Sequence, residues 1–249
     1  RTILRPYQRE GFEFLADRAA SGVGAILADD MGLGKTLQAL ALIDALAREG
    51  ECKKALVVCP ASVMGVWIEQ AQQFCPELRC ATYRGTAERR HEVLKDGDWQ
   101  VLVMNYALVR MDVEVLMQRE FDLVILDEAQ YIKNPDAQVT LAVKAIKTKR
   151  TLVLTGTPLE NRLLDLWSIM DFLNPSFLGP KDLFMARFEG PHGLKRLSER
   201  IAPVILRRTK EAVAPELPPR TEEVIHIDLP LAQRKIYDQQ LAKARHSLK

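Results

Sequence analysis

The sequence predicts an α/β fold, in which a doubly wound, mostly parallel sheet carries a small helical protrusion. Short runs that are almost entirely apolar recur along the first 155 residues, at 25–28, 55–59, 101–104, 123–126 and 151–154. Strands that are covered on both faces have this unbroken apolar character, whereas half-exposed strands alternate. Helical stretches such as 36–48 and 62–74 separate the runs. This alternation predicts a parallel sheet, and ligands of such sheets bind where the strands end.

The composition is that of a globular protein. With 249 residues, 47% of them apolar and 27% charged, the chain can bury a large core and is not a disordered segment. Its 35 basic and 33 acidic residues leave a net charge of +2, which does not by itself favour a nucleic-acid partner. No apolar run approaches the roughly 20 residues that span a membrane, so no membrane partner is expected. The four cysteines form no C-x-x-C pair and the four histidines lie far apart, which disfavours zinc or disulfides and favours a reducing intracellular compartment.

Three segments are expected along the chain: a core domain at 1–175, the helical protrusion at 176–210, and a return segment and connector at 211–249. Two proline-containing pairs near 175 and 180 end the strand–helix alternation, and a charge-rich helical stretch follows them. Three prolines between 215 and 219 then make a stiff connector. It leads into a short β-like run at 224–229 and a closing helix from about 231.

A glycine-rich loop follows the first predicted strand and opens a helix, running from Asp29 to Thr36. Gly32 and Gly34 let the backbone turn so that N–H groups face a phosphate, and the helix amino terminus adds partial positive charge. Lys35 is placed to reach the β- and γ-phosphates of a nucleotide, and the Thr36 hydroxyl to ligate Mg²⁺. The strict pattern G-x-x-x-x-G-K-[ST] fails by one residue, because Asp29 stands where it requires glycine. A turn that merely caps a helix is the alternative interpretation.

Two further strand ends carry residues suited to phosphoryl transfer. Asp127 and Glu128 close the run at 123–126, so their carboxylates should emerge beside the phosphate loop. An Asp there can hold Mg²⁺ through water, and the adjacent Glu can orient or deprotonate the attacking water. Thr155, Gly156 and Thr157 end another strand at the same edge, where they are expected to sense the γ-phosphate. An acidic pair after a strand is also common on ordinary surfaces, so its meaning depends on the phosphate loop.

These segments together resemble the Swi/Snf-type DNA-dependent ATPases, a branch of the superfamily-two helicases and translocases. The family's own phosphate loop carries an acidic residue where the strict pattern has glycine, which accounts for Asp29. The sequence after Glu128 and the block from Thr155 differ from the Asp-Glu-Ala-Asp and Ser-Ala-Thr blocks usual in RNA helicases. The matching blocks, in chain order, are 4–8 with Gly11, 27–36, 60–62 with Trp67, 105–106, 127–130 with 133–134, 154–175, 205–210 and 217–219.

The resemblance implies ATP and Mg²⁺ as the bound groups. Lys35 and Thr36 would hold the triphosphate and the metal, Asp127 would complete the metal site, and Glu128 would activate water. Gln8 would select adenine. The nucleotide-binding residues implied are Arg5, Gln8, Asp30, Met31, Gly32, Leu33, Gly34, Lys35, Thr36 and Leu37.

The resemblance also implies contacts with the backbone of double-stranded DNA. They would be made near Ser62, Arg84, Gly85, Asn105 and Tyr106, and would position DNA without reading its sequence. Trp67 is expected in the core rather than stacked on a base. The stretch 195–210 has six basic residues against one acidic residue. It is either a solvated helix face, a set of phosphate contacts, or a docking site for a second lobe.

The implied function is that of the first RecA-like lobe of a double-stranded-DNA translocase that remodels protein–DNA complexes. A second lobe of the same parent chain would supply arginine fingers, so this lobe alone is expected to be nearly inactive in hydrolysis. An RNA-directed ATPase and an ATP-switched, non-catalytic binding module are the alternatives. The lack of long acidic or Ser-rich insertions favours a bacterial, nucleoid-associated cytoplasmic protein, whereas a eukaryotic member would be nuclear.

Overall fold

The structure is a computed structural model that describes residues 4–156, 163–213 and 230–247. The strands are β1 (Ala25–Leu27), β2 (Ala55–Cys59), β3 (Cys80–Thr82), β4 (Val101–Asn105), β5 (Glu120–Phe121), β6 (Leu123–Asp127), β7 (Lys147–Thr148), β8 (Thr151–Leu154) and β9 (Ile205–Leu206). The helices are α1 (Pro6–Ala20), α2 (Lys35–Arg48), α3 (Met64–Phe74), α4 (Ala87–Asp96), α5 (Tyr106–Met111), α6 (Val113–Leu116), α7 (Gln138–Lys144), α8 (Leu163–Leu173), α9 (Lys181–Phe188), α10 (Pro191–Ile201), α11 (Lys210–Val213) and α12 (Leu231–Ser247). Short 3₁₀ helices lie at Ala61–Val63, Ala129–Ile132 and Ala202–Val204.

Seven of these strands form one parallel sheet in the order β3-β4-β2-β6-β8-β1-β9, and β5 pairs with β7 separately. The register sets Leu126 of β6 opposite Val58 of β2 on one side and Val153 of β8 on the other. Because the strands run in the same direction, their carboxyl ends meet at one edge. The predicted doubly wound parallel sheet is therefore confirmed.

Helices cover both faces of this sheet, which explains why the strands are apolar without alternation. Leu56 and Val58 pack into the core that includes side chains of α5, α7 and α8. Their neighbour Val57 packs into the opposite core, with side chains of α1, α2 and α3. All three are fully buried, and burying such a side chain contributes about 1.5–3 kcal/mol.

The protrusion is smaller than the sequence predicts. Helices α9 and α10 form it, but Ile205 and Leu206 return to the sheet as β9, opposite Ile26 and Leu27 of β1. The predicted protrusion at 176–210 is therefore wrong at its carboxyl end. A strand of two residues is too short for a hydrophobic period to reveal. The sequence also does not predict β3, whose three residues are only half-buried and form no apolar run.

The chain divides into two compact units, Arg1–Ala214 and Pro215–Lys249. In the second unit the predicted closing helix is confirmed as α12. The β-like run at 224–229 lies outside the described residues. Within the described parts of both units, no helix is long and apolar enough to cross a membrane.

Candidate functional site

The predicted motifs meet at the carboxyl edge of the sheet. The glycine-rich loop leaves β1, the acidic pair ends β6, and Thr155 and Gly156 follow β8, which lies between those two strands. A methyl group built on Gly156 would lie 2.8 Å from Cγ of Met31 and 3.4 Å from Nζ of Lys35. The block after β8 is therefore packed directly against the phosphate loop.

The loop between β1 and α2 has the backbone of a phosphate cradle. Gly32 and Gly34 adopt φ values of +87° and +76°, a left-handed region that favours glycine. Gly34 caps α2, so the free N–H groups of the first helical turn open toward the loop. Lys35 donates from Nζ to the carbonyl oxygens of Asp29 at 2.7 Å and Asp30 at 3.2 Å. Burial lowers the pKa of Lys35, and the nearby acidic groups oppose that shift.

The acidic pair supplies one buried carboxylate and one unusual backbone conformation. Asp127 is 9% exposed, and its Oδ2 accepts a hydrogen bond of 2.9 Å from Nε1 of Trp67. Burial raises the pKa of Asp127, and the bond from Trp67 opposes that shift. Glu128 has φ +55° and ψ +59°, which is left-handed and rarely adopted by residues with a side chain. Glu128 and Asp127 are among the acidic groups that raise the pKa of Lys35 against the effect of burial.

Helix α1 packs against the phosphate loop through Gln8. This side chain is 8% exposed and donates from Nε2 to the carbonyl of Leu33 at 3.3 Å. Its Oε1 accepts from the backbone N–H of Arg5 at 3.0 Å, while the Arg5 side chain is exposed. A methyl group on Gly34 would lie 2.5 Å from Nε2 of Gln8, so the fit depends on glycine there.

Asp29, which stands where the strict pattern has glycine, is completely buried and paired with Arg208. The guanidinium approaches both carboxylate oxygens, with Nε 3.0 Å from Oδ1 and Nη2 2.6 Å from Oδ2. Arg208 also donates to Oε1 of Gln38 at 3.0 Å and to the carbonyl oxygen of Tyr7. The acidic residue therefore joins the phosphate loop, α1, α2 and the segment after β9.

The remaining predicted nucleotide residues line the same loop. Asp30 is half-buried, and its Oδ2 accepts from the backbone N–H of Lys210 at 3.1 Å. Met31 is 67% exposed and Leu33 is buried. Thr36 and Leu37 are half-buried in the first turn of α2.

In the block after β8, Thr155 is buried and its N–H donates to the carbonyl of Leu27 at 3.1 Å. This bond joins the end of β8 to the strand that precedes the phosphate loop. Thr157, the third predicted member of the block, lies outside the described residues.

Four of the five residues predicted to contact DNA lie farther along the same edge. Ser62 follows β2 and is exposed, and Arg84 and Gly85 follow β3 and are exposed. Asn105 ends β4, is half-buried, and caps α5 by accepting a 3.0 Å bond from the N–H of Leu108. These residues are accessible at the ends of the three strands on one side of β6.

Tyr106 requires a correction. Its side chain is 3% exposed, and its hydroxyl donates to the carbonyl oxygen of Asp127 at 2.8 Å. Its ring stacks on Tyr131 with centroids 4.7 Å apart and planes 6° apart. Burial raises the pKa of the Tyr106 hydroxyl well above its usual range, so this group remains a donor. The side chain lies inside the protein beside the end of β6 and is not available to DNA.

The basic stretch at 195–210 is not a single surface. Lys195 and Arg196 are exposed, whereas the Arg208 side chain is only 10% exposed and pairs with Asp29. Arg200 donates to the carbonyl of Phe177 at 2.6 Å and lies over its ring. Counting charges along the sequence could not reveal the role of Arg208, since only its partner in space shows it.

Trp67 is in the core, 1% exposed, as the sequence predicts. Its bond to Asp127 was not predicted, because a buried tryptophan gives no sign in the sequence of where its N–H points.

Comparison with known proteins agrees with this arrangement. The family model described as the SNF2-related domain matches residues 7–249. An ATP-dependent helicase of Mycoplasma genitalium is 40% identical over 207 residues, covering 82% of this chain and 20% of that protein. A TATA-binding protein-associated factor of Aspergillus fumigatus is 39% identical over 211 residues, covering 79% of this chain and 11% of that protein.

A solved structure gives the same result in three dimensions. The SWI2/SNF2 ATPase core of Sulfolobus solfataricus in complex with double-stranded DNA aligns with a TM-score of 0.81 and 38% identity. The alignment covers 97% of this chain and 52% of that one, so the chain spans about half of the solved core. From its sequence, its sheet and its phosphate loop, the chain belongs to the family of SNF2-related ATPase domains.

Proposed function

We propose that this domain is the first motor lobe of an ATP-driven translocase that acts on double-stranded DNA and remodels protein–DNA complexes. One observation carries the proposal: the phosphate loop with Lys35, the acidic pair Asp127 and Glu128, and Gly156 lie at the ends of the neighbouring strands β1, β6 and β8, at one edge of the sheet. This combination of a cradle, a cation and carboxylates suits phosphoryl transfer, in which positioning and charge do most of the work.

The nucleotide would be held from both ends. The N–H groups at Gly32 and Gly34 and the amino terminus of α2 would bind the phosphates, and the Lys35 ammonium would reach the β- and γ-phosphates. Lys35 now donates to two loop carbonyls, which a nearby phosphate can replace as partners. Gln8, held against the carbonyl of Leu33, would present its amide to adenine.

The residues present fit a magnesium ion. Thr36 offers a hydroxyl in the first turn of α2 and Asp127 a carboxylate at the end of β6, and Mg²⁺ prefers oxygen ligands of this kind. When bound, the metal would neutralise charge on the phosphates. Glu128 would orient and deprotonate the attacking water.

DNA would lie across the exposed ends of β2, β3 and β4, near Ser62, Arg84, Gly85 and Asn105. The Sulfolobus core, with 38% identity, was solved with double-stranded DNA, which supports this partner. A second RecA-like lobe of the parent chain would close over the nucleotide and supply arginine fingers. An arginine finger is worth roughly 10³–10⁵ in rate. This domain alone would therefore turn over ATP very slowly. The protein would act in a bacterial nucleoid or in a eukaryotic nucleus.

The test is steady-state ATP hydrolysis by the full-length protein without nucleic acid, with duplex DNA and with RNA. The proposal predicts strong stimulation by duplex DNA, which Lys35→Ala abolishes. Stimulation by RNA above that by duplex DNA would favour an RNA-directed ATPase. ATP binding without turnover under any condition would favour an ATP-switched binding module.

A further inference from the structure

We propose that Trp67 and Tyr106 are positioning residues that carry the effect of bound DNA to Asp127 and Glu128. The inference rests on the proposed function, because it concerns how DNA would stimulate hydrolysis. Each side chain belongs to an element that begins where a predicted DNA contact lies. Each ends in a hydrogen bond to Asp127.

The first connection runs from Ser62 to the Asp127 carboxylate. Ser62 is exposed in the 3₁₀ helix Ala61–Val63, which continues directly into α3 at Met64. Trp67 lies in the first turn of α3, and its indole N–H donates to Oδ2 of Asp127 at 2.9 Å. An indole can only donate, and a buried ring has no freedom to turn away. A shift of the exposed 3₁₀ helix therefore moves the group that orients this carboxylate.

The second connection runs from Asn105 to the backbone of Glu128. Tyr106 follows Asn105 and begins α5, and its hydroxyl donates to the carbonyl oxygen of Asp127 at 2.8 Å. That carbonyl belongs to the peptide that joins Asp127 to Glu128, so the bond fixes the orientation of this peptide plane. Glu128 has φ +55°, a conformation that persists only where its surroundings hold it. The Tyr106 ring is 3% exposed and stacks on Tyr131, which holds it in this position.

The two connections converge from neighbouring strands. The order β4-β2-β6 places the ends of β4 and β2 consecutively beside the end of β6. The phosphate loop lies on the other side of β8 and is held by different partners, including Gln8 and Arg208. Changes at Trp67 or Tyr106 should therefore alter hydrolysis and its response to DNA, while leaving nucleotide affinity almost unchanged. If the two side chains only stabilised the core, their loss would not lower DNA-stimulated hydrolysis while leaving nucleotide affinity unchanged.

Conservative variants of the full-length protein test the proposal. Tyr106→Phe deletes a hydrogen-bond donor and keeps the ring. Trp67→Phe deletes a donor and replaces the indole by a smaller aromatic ring, a loss of volume that the control variant must share. Trp99→Phe is the matched control, because Trp99 is also buried and donates to the carbonyl of Val93, away from the site. We expect DNA-stimulated turnover to fall roughly 10–100-fold in the two test variants, the range seen when groups that support a metal-binding side chain are lost. Their affinities for ATP and duplex DNA should stay within about twofold of wild type, and the control should match wild type.

A spectroscopic readout does not depend on activity. Replacing Trp99, Trp167 and every tryptophan outside these 249 residues by phenylalanine leaves Trp67 as the one emitting tryptophan. Adding duplex DNA to the ADP–Mg²⁺ complex should shift or quench its emission, and adding Tyr106→Phe should reduce that response. This inference, but not the proposed function, would be overturned by DNA stimulation at wild-type level in both test variants. Trp67 emission that does not change when DNA is added would overturn it in the same way. Failure of duplex DNA to stimulate the wild-type protein would remove the proposed function and this inference together.

Discussion

Arg208 and Asp29 form a buried ion pair in which two guanidinium nitrogens meet two carboxylate oxygens, at 3.0 and 2.6 Å. Asp29 is the first residue of the phosphate loop, and Arg208 follows the last strand of the sheet. A backbone hydrogen bond joins the same two segments, since the N–H of Asp30 donates to the carbonyl of Arg208 at 3.0 Å. The loop that would bind phosphate is thereby fixed to the segment that leaves the sheet.

Breaking this pair from either side should be costly. Arg208→Met leaves the fully buried Asp29 carboxylate without its counter-charge, which should lower the free energy of unfolding by about 3–5 kcal/mol. Asp29→Gly should cost less, because the Arg208 guanidinium keeps the exposed Glu10 carboxylate at 3.7 Å. The double variant should lose much less than the sum, since no unpaired charge remains. Urea unfolding of the domain measures this cycle. Arg48→Met, which removes an exposed ion pair with Asp44, is the control and should leave the midpoint nearly unchanged.

Additive losses in the Asp29 and Arg208 cycle would contradict this account. They would mean that the two side chains stabilise the fold through separate partners rather than through each other.

Gln8→Ala should weaken the preference for adenine nucleotides. Its amide is oriented by Leu33 and by the backbone of Arg5, so it is fixed before a base arrives. We expect the ratio of ATP to GTP affinity to fall about tenfold, equivalent to about 1.4 kcal/mol. Competition against a fluorescent ADP measures this ratio. Gln73→Ala, an exposed change in α3, is the control, and an unchanged ratio in Gln8→Ala would argue that adenine is selected elsewhere.

The sequence predicts the features of this molecule that follow from short segments of the chain, such as its central strands and the residues at their ends. The unbroken apolar character of 55–59 and 123–126 predicts the central strands. The parallel sheet then predicts that Asp127 lies at the same edge as Lys35. Those inferences need only residue type and order along the chain.

The long-range partners could not be predicted. In the sequence, Arg208 is one of the basic residues in the stretch 195–210. The fold places it against Asp29, which lies 179 residues earlier in the chain. The family resemblance of the block at 105–106 implies that Tyr106 contacts DNA, but α5 turns its ring inward. Burial and side-chain direction depend on helix orientation, which motif spacing does not specify.

Gly156→Ala should weaken nucleotide binding without unfolding the protein. The added methyl would lie 2.8 Å from Cγ of Met31, which is exposed and can move, but also 3.4 Å from Nζ of Lys35. We expect ATP affinity to fall about tenfold, or about 1.4 kcal/mol, with little change in urea midpoint. Gly65→Ala is the control, because its methyl would meet nothing within 4 Å. Equal ATP affinity in both variants would show that Lys35 does not need its present position.

A second buried ion pair, Arg90 with Asp112, should make stability depend on pH. The Arg90 guanidinium bonds to Asp112 at 2.6 Å, lowers the pKa of this carboxyl, and also donates to the carbonyl of Gly85 at 2.7 Å. The stabilisation is fully present above the unfolded pKa of aspartate, about 3.9, and is lost as pH falls through the lower folded value. Asp112→Asn should lower the free energy of unfolding at pH 7 by about 3–5 kcal/mol, since it leaves Arg90 buried without its counter-charge.

The measurement is the urea midpoint of wild type and of Asp112→Asn at several pH values between 2 and 7. The gap, which is the difference between the two midpoints, should become smaller as the pH falls. A gap that stays constant over this range would mean that the Asp112 charge does not stabilise the fold.

The central claim is that this edge of the sheet binds and hydrolyses ATP, and Glu128→Gln tests it most directly. The substitution keeps the size of the side chain and removes the group that would activate water. ATP affinity and DNA-stimulated turnover should be measured on the full-length protein, beside Lys35→Ala. The account predicts that Glu128→Gln binds ATP as wild type does but loses turnover by at least about 100-fold, the lower range for general base catalysis. Wild-type turnover in Glu128→Gln would contradict it.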